Sequence, residues 1–271
     1  MKYKVIFSDF DGTLLRTDHT VSERNIKAIK GYIAKGGTFI VNTGRIASSL
    51  DEWKVKLGIA EQKIPVIGFN GAFVTGKNGE ILSSSFIEHT TAVKILAKAR
   101  ELGVYSHFYT AKNVHIKKVC DISYMYKILT DAPLKVVGYL DDYLKAHPEL
   151  VVPKILLVIP EERRAEIEGI YDEMGLDGVQ HVAGNKNFLE FVSTSSGKGN
   201  GMQKALDILG VKAEECIAIG DNENDASMIK KAGLGVAVAN ATIKAKEVAD
   251  YISASNNDDG VAEVIEKFCG D

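Results

Sequence analysis

Apolar residues in this chain come in short solid runs separated by longer stretches of helical spacing. The run Tyr3-Lys4-Val5-Ile6-Phe7 reads as a strand that stops at a polar turn. A helix is expected near 22–35, with Ser22 as its N-cap. The run 38–41 is a second strand, ending at Asn42-Thr43-Gly44-Arg45, and a helix follows near 47–57. A third strand, 66–69, ends at Asn70-Gly71. The rhythm returns late in the chain. A helix near 198–209 leads to a strand at 216–219 that ends at Gly220-Asp221, and a short helix covers 225–231. A strand at 235–238 ends at Ala239-Asn240; a strand near 251–252 and a helix from about 259 to 268 close the pattern. Solid apolar strands alternating with helices predict an α/β fold built on a Rossmann-like, doubly wound parallel sheet.

The middle of the chain breaks that rhythm. Helices are expected near 90–102, 119–129 and 161–174, with a short one ending at 146. Strands are expected at 104–109, 114–117, 135–139, 155–159, 179–182 and 187–191, several of them paired as hairpins. This mixed segment reads as a large α/β cap domain inserted into the first, dividing the chain into core 1–83, cap 84–186 and core 187–271. One continuous sheet of unusual order is the alternative.

A chain of 271 residues suits one large domain or two smaller ones, with a core that needs no disulfide support. Its net charge of −3 argues against a broad nucleic-acid surface. Three scattered cysteines, Cys120, Cys216 and Cys269, form no metal-like pattern and fit a reducing cytoplasm. Only Val5, Ile6 and Phe7 separate Lys4 from Ser8-Asp9, which is no signal peptide. No apolar run approaches the ~20 residues of a membrane span. The histidines at 89, 107, 115, 147 and 181 lie in or beside the middle segment and read as surface or packing residues.

Four stretches, all at strand ends or helix starts, carry candidate chemistry. Asp9 and Asp11 stand two residues apart before a Gly-Thr turn. Neighbouring carboxylates repel unless a cation sits between them, and Mg²⁺ suits an all-oxygen site with room for phosphate and water. One carboxylate can then attack phosphorus while the other serves as acid and base. Thr43 can hold a phosphoryl oxygen at a helix start, and Arg45 can add a charge. Lys198, between Gly197 and Gly199, can offer a point charge to phosphate. Asp221 can complete a metal shell, and Asp225, four residues on, is suited to orient the lysine. Each stretch also has a plain reading as a turn, an N-cap or a surface residue. Three rival motifs fail. An EF-hand would need Gly where Leu14 stands, and a P-loop would need Gly at Val192 and Ser or Thr at Gly199. A dinucleotide fingerprint would have Gly233-Leu234-Gly235 follow a strand, not precede one.

Together these stretches resemble the motifs of the haloacid dehalogenase superfamily, within it the Cof-like sugar-phosphate phosphatases. Residues 9–15 resemble the first motif, Thr43-Gly44-Arg45 the second, Lys198 the third and residues 220–225 the fourth. Similarity extends to Phe69-Asn70-Gly71-Ala72 and Val238-Ala239-Asn240-Ala241, which makes Asn70 and Asn240 substrate-proximal candidates. The resemblance implies that Asp9 is the nucleophile and that Asp11 protonates the leaving alcohol and then activates water. It implies Mg²⁺ held by Asp9, Asp221 and the backbone carbonyl of Asp11. Phosphate would be bound by Thr43, Gly44, Lys198, Asn224 and the Phe10 N–H. The implied partner is a small phosphorylated metabolite met by a monomer or small homo-oligomer, with no nucleic acid or membrane involved. True dehalogenases need no second aspartate, so Asp11 argues against that branch. Rivals are a phosphohexomutase of the same fold and a non-catalytic phosphometabolite sensor. The inserted segment, which holds no candidate catalytic residue, is expected to close over the substrate and read the part beyond the phosphate.

Overall fold

In the computed structural model, residues 1–130, 133–185 and 187–270 are described. They form two compact units, Met1–Ser84 with Gly197–Asp271, and Ser85–Ser196.

The first unit begins with β1 (Val5–Ser8), α1 (Glu23–Ala34), β2 (Thr38–Asn42), α2 (Asp51–Leu57), β3 (Val66–Gly68), β4 (Phe73–Thr75) and β5 (Ile81–Ser84). The second unit contains α3 (His89–Glu101), β6 (Tyr105–Tyr109), β7 (Val114–Ile116), α4 (Asp121–Thr130), β8 (Leu134–Val136), α5 (Leu140–Ala146), β9 (Lys154–Val158), α6 (Arg164–Glu173), β10 (Val179–Asn185) and β11 (Phe188–Ser193). The first unit resumes with α7 (Lys198–Leu209), β12 (Cys216–Gly220), α8 (Ala226–Lys231), β13 (Leu234–Val238), α9 (Ile243–Glu247), β14 (Tyr251–Ser253) and α10 (Gly260–Cys269).

The first unit is built on one sheet of order β14-β13-β12-β1-β2-β3-β4-β5. All neighbours from β14 to β3 run parallel. β1 lies inside this sheet with all four residues buried, which is why its sequence is a solid apolar run. Helices cover both faces. One core gathers Ile6, Phe39, Val66 and Ile217 with residues of α1 and α10; the other gathers Val5, Phe7, Ile40 and Ala218 with residues of α7 and α8. α1 starts where expected, since the Ser22 hydroxyl accepts the Asn25 N–H at 3.0 Å. The register places the site: Ser8 lies opposite both Ile219 of β12 and Val41 of β2. The three strands therefore deliver Asp9, Asn42 and Gly220 to the same edge, where ligands of open parallel sheets bind.

The hairpin β4–β5 extends the sheet antiparallel to β3 and is absent from the sequence reading. Its strands are short, and Ile81 and Leu82 of β5 are exposed, so no burial pattern marks it. The helix expected at 47–57 is a 3₁₀ turn, Ala47–Leu50, followed by α2.

The second unit is a sheet of order β10-β11-β9-β6-β7-β8, antiparallel except between β7 and β8. One face packs against α3, α5 and α6 through Phe108, Ile155, Leu157 and Phe191. The expected end of the insertion, Lys186, lies outside the described residues. The boundary needs correction: β11 pairs with β9 and β10, so the unit runs on to Ser196. No described helix is long and apolar enough to cross a membrane.

Candidate active site

Asp9 follows the last residue of β1, held by its N–H on the Ile219 carbonyl at 2.9 Å. Its carboxylate meets the Lys198 ammonium at 2.6 Å, and the same ammonium donates to Asp225 Oδ1 at 2.6 Å. Lys198 and Asp225 are fully enclosed, 1% and 0% exposed, and Asp9 is nearly so at 6%. The lysine is therefore no surface residue. It opens α7, and the Asn42 side chain from β2 ties the Lys198 carbonyl at 3.0 Å. The second oxygen of Asp225 accepts the N–H groups of Asp221 and Asn222 at 3.0 and 2.9 Å. Asp225 thus orients both the lysine and the loop that carries Asp221.

Asp221 receives the Thr13 hydroxyl at 2.7 Å. Between Asp9 and Thr13 the chain turns tightly through Gly12, at φ +77°, where an added Cβ would lie 2.6 Å from Asp221 Oδ2. Only glycine permits this approach of the first strand's turn to the fourth stretch.

One carboxylate oxygen each from Asp9, Asp221 and Asp225 lies within 4.8 Å of the others. Three acids face a single ammonium. Burial pushes the Asp9 carboxyl well above the usual carboxylate range, helped by Asp225 and Asp221, and the contact with Lys198 only partly offsets this. Asp221 is raised for the same first reason, burial, with Asp225 adding to it. Burial alone would lower the Lys198 pKa, but Asp9 and Asp225 outweigh it and hold the ammonium charged. A hard divalent cation is the natural complement to this excess of buried negative charge. Both Asp225 oxygens are already engaged, so Asp9 and Asp221 are the side chains suited to hold it.

Asp11 points elsewhere. Arg45 grips its two oxygens at 2.8 and 2.6 Å, and the guanidinium lies 5.2 Å from the centroid of the Phe10 ring. Any metal contact from Asp11 rests on its backbone carbonyl, and work at a leaving oxygen requires the pair with Arg45 to part. Thr43 is buried, and its Oγ accepts the Arg45 N–H at 3.1 Å, which leaves the hydroxyl proton available to a ligand.

Asn70 joins three of the stretches. Its N–H donates to the Thr43 carbonyl and its own carbonyl accepts from Gly197, both at 2.9 Å. Its side-chain oxygen accepts from Asn224 at 3.0 Å and would meet a Cβ on Gly44 at 3.1 Å. It sits at φ 53°, ψ 43°, in the left-handed region, where asparagine is among the few tolerated residues. Asn240 donates to the Gly12 carbonyl at 2.8 Å and accepts from the Asn256 N–H at 2.9 Å, bracing the same turn. All the sequence-predicted candidates lie in the first unit, and these contacts link them. Thr13 and Asn42 lay within the recognised stretches without an assigned role; their short polar side chains beside charged positions were the available signal.

The chain matches the haloacid dehalogenase-like hydrolase family over residues 6–265. It is 33% identical over 272 residues to a Haemophilus influenzae protein named "Putative phosphatase", covering 98% of each chain. It is 28% identical to the 5-amino-6-(5-phospho-D-ribitylamino)uracil phosphatase YitU of Bacillus subtilis, covering 97% of each. A crystal structure of a haloacid dehalogenase-like hydrolase from Bacteroides thetaiotaomicron superposes with a TM-score of 0.88 at 27% identity, covering 98% of this chain and 99% of that one.

Proposed function

Because the chain belongs to the haloacid dehalogenase-like hydrolase family, we propose that it is a cytoplasmic, Mg²⁺-dependent phosphatase of small phosphorylated metabolites, sugar phosphates foremost. The observation that carries this reading is the buried Asp9–Lys198–Asp225 contact beside Asp221. Asp9 is the nucleophile: its free oxygen forms a bond to phosphorus as the phosphorus–ester oxygen bond breaks, and the leaving alkoxide takes a proton from Asp11. Asp11 then takes a proton from water, whose oxygen attacks the aspartyl-phosphate and releases inorganic phosphate and free Asp9. Lys198, Thr43, Asn224 and the N–H groups of Phe10 and Gly44 bind the phosphoryl oxygens, and Arg45 exchanges Asp11 for substrate. A Mg²⁺ ion held by Asp9, Asp221 and the Asp11 carbonyl would neutralise charge on the transferring group.

The relatives' names support a phosphatase, and the name of the B. subtilis relative supports a small phosphorylated, polyhydroxylated substrate. The test is hydrolysis over a panel of phosphorylated metabolites with Mg²⁺, with Ca²⁺ and with a strong chelator. Mg²⁺ activates and Ca²⁺ inhibits, because Ca²⁺ tolerates bidentate carboxylates that would occupy the attacking oxygen of Asp9. Full activity in chelator removes the metal from the reading, and no turnover of any ester removes the phosphatase.

A further inference from the structure

The second unit holds a cavity of about 300 Å³ unrelated to the acidic site. That volume lies at the small end of the ~300–1,000 Å³ typical of small-molecule sites. Its floor is apolar: Leu96 and Leu140 are buried at 1% and 5%, and Val104 and Tyr105 also line it. Its mouth is cationic. Lys117 and Lys118, on the loop after β7, make no ion pair among the described residues. Arg100 also lines the cavity, but its charge is spent on Asp141 at 3.3 Å and Asp142 at 2.9 Å. Between these groups stands Tyr139, 45% exposed, with the Arg100 guanidinium 3.5 Å and the Lys117 ammonium 4.2 Å from its ring centroid. Both cations lie over this ring, which anchors their side chains at the mouth.

Every lining residue falls between Leu96 and Asp141, so none belongs to the Asp9–Lys198 group. Within the unit the cavity lies where β6 begins, at Tyr105 opposite Val158. The chain enters the unit at the other end of that ladder, where Ile87 bridges Val152.

We propose that this cavity is a second ligand site, for an amphipathic organic anion: a body about the size of a substituted aromatic ring, bearing a carboxylate, sulfonate or phosphate. The apolar floor takes the body, and Lys117 and Lys118 take the charge. A cation would be repelled, and a neutral apolar molecule would leave both ammonium groups unused.

The probe is naphthalene-2-sulfonate, which has no phosphate ester for the acidic site to hydrolyse, titrated by fluorescence against the full chain. One molecule binds in the submillimolar range, and binding weakens as salt is raised. The double variant Lys117→Ala/Lys118→Ala weakens it at least tenfold while aryl-phosphate hydrolysis stays within twofold. Ser106→Trp, which fills the cavity, abolishes binding in a protein with an unchanged cooperative melt. The neutral 2-naphthol binds at least tenfold more weakly than the sulfonate. Unchanged affinity in the double variant overturns the proposal. Loss of binding in Met125→Lys, on the exposed face of α4, would place the probe on that helix and overturns it equally. None of these readings depends on the identity of the enzyme's substrate.

Discussion

Lys198 decides more than any other side chain here. It is enclosed between two carboxylates, and its charge balances them. If Lys198 holds the transferring group as proposed, replacing it by alanine costs ~3 kcal/mol, or about a hundredfold in rate. It also strands Asp9 and Asp225, and breaking a buried pair costs ~3–5 kcal/mol of stability. Lys198→Ala therefore lowers both kcat/KM and the melting temperature, and Lys198→Arg lowers both by less. A change of under threefold in kcat/KM would exclude a role in catalysis. Asp9→Asn separates the two effects. It removes the proposed nucleophile while Asp225 still partners the lysine, so turnover falls by ~10³-fold or more with a melt close to wild type. Residual activity near a tenth would mean that water attacks directly and Asp9 only ligates metal. The charged members of the site were legible in the sequence because Asp9 and Asp221 end apolar runs, and Asp11, Arg45, Lys198 and Asp225 stand beside glycine or asparagine. Thr13 and Asn42 were not, because their partners, Asp221 and Lys198, lie 208 and 156 residues away and only the sheet register unites them.

At the scale of elements, the loop after β3 meets the start of α7 with almost no space between. A Cβ on Gly71, at φ +90°, would lie 2.1 Å from the Gly197 carbonyl, and one on Gly201 would lie 2.5 Å from Gly71 Cα. Both obstacles are backbone and cannot rotate away. Gly71→Ala thus adds overpacking to a left-handed penalty, about 2–4 kcal/mol together, and moves Asn70 off Thr43 and Asn224. Differential denaturation and a fall in kcat of at least tenfold are the expected readouts, with Gly79→Ala, which meets no neighbour, as the control for a strained backbone alone. In the second unit, burial and then the charge of Lys154 press the His107 pKa down to about 3. The folded histidine stays neutral where the unfolded one, near 6.5, takes a proton. The stability this neutral form supplies is complete above pH ~6.5 and is lost as pH falls from there toward 3, at about 1.4 kcal/mol per unit. Urea titrations at pH 6 and pH 5 measure the slope, and His107→Gln flattens it; an unchanged slope in the variant would show that other groups carry the acid sensitivity. The helices and inner strands follow closely from periodicity. β4 and β5 escaped because a three-residue strand and a half-exposed edge leave no period to read.

At the scale of the molecule, the proposed function divides labour between the units. All candidate catalytic residues lie in the first, and Ser85–Ser196 contributes none. Replacing that segment by a short linker should leave hydrolysis of a small activated aryl phosphate within ~100-fold of wild type and reduce kcat/KM for the best metabolite much further. Closing the gap is feasible because Lys204 of α7 reaches the Ser84 carbonyl at 3.5 Å. The trimmed protein must show a cooperative melt, and equal losses on both substrates would make the inserted unit a support rather than a reader of substrate. Alternation of strands and helices predicts the parallel sheet of the first unit, and its interruption marks the mixed sheet of the second, whereas the cavity among residues 96–141 had no sequence signature, since its lysines and tyrosine come together only through folding.

The pairing of Val5 with Cys216 has a consequence for how the protein is made. Translation delivers β1 first and its inner neighbour β12 more than two hundred residues later, ~10–40 s at ~5–20 residues per second. Through that interval one side of a fully buried strand has no partner, while Ser85–Ser196 is already out and free to fold by itself. The nascent chain is thus most prone to aggregate midway through synthesis, with its second unit complete and the sheet of its first unit still open.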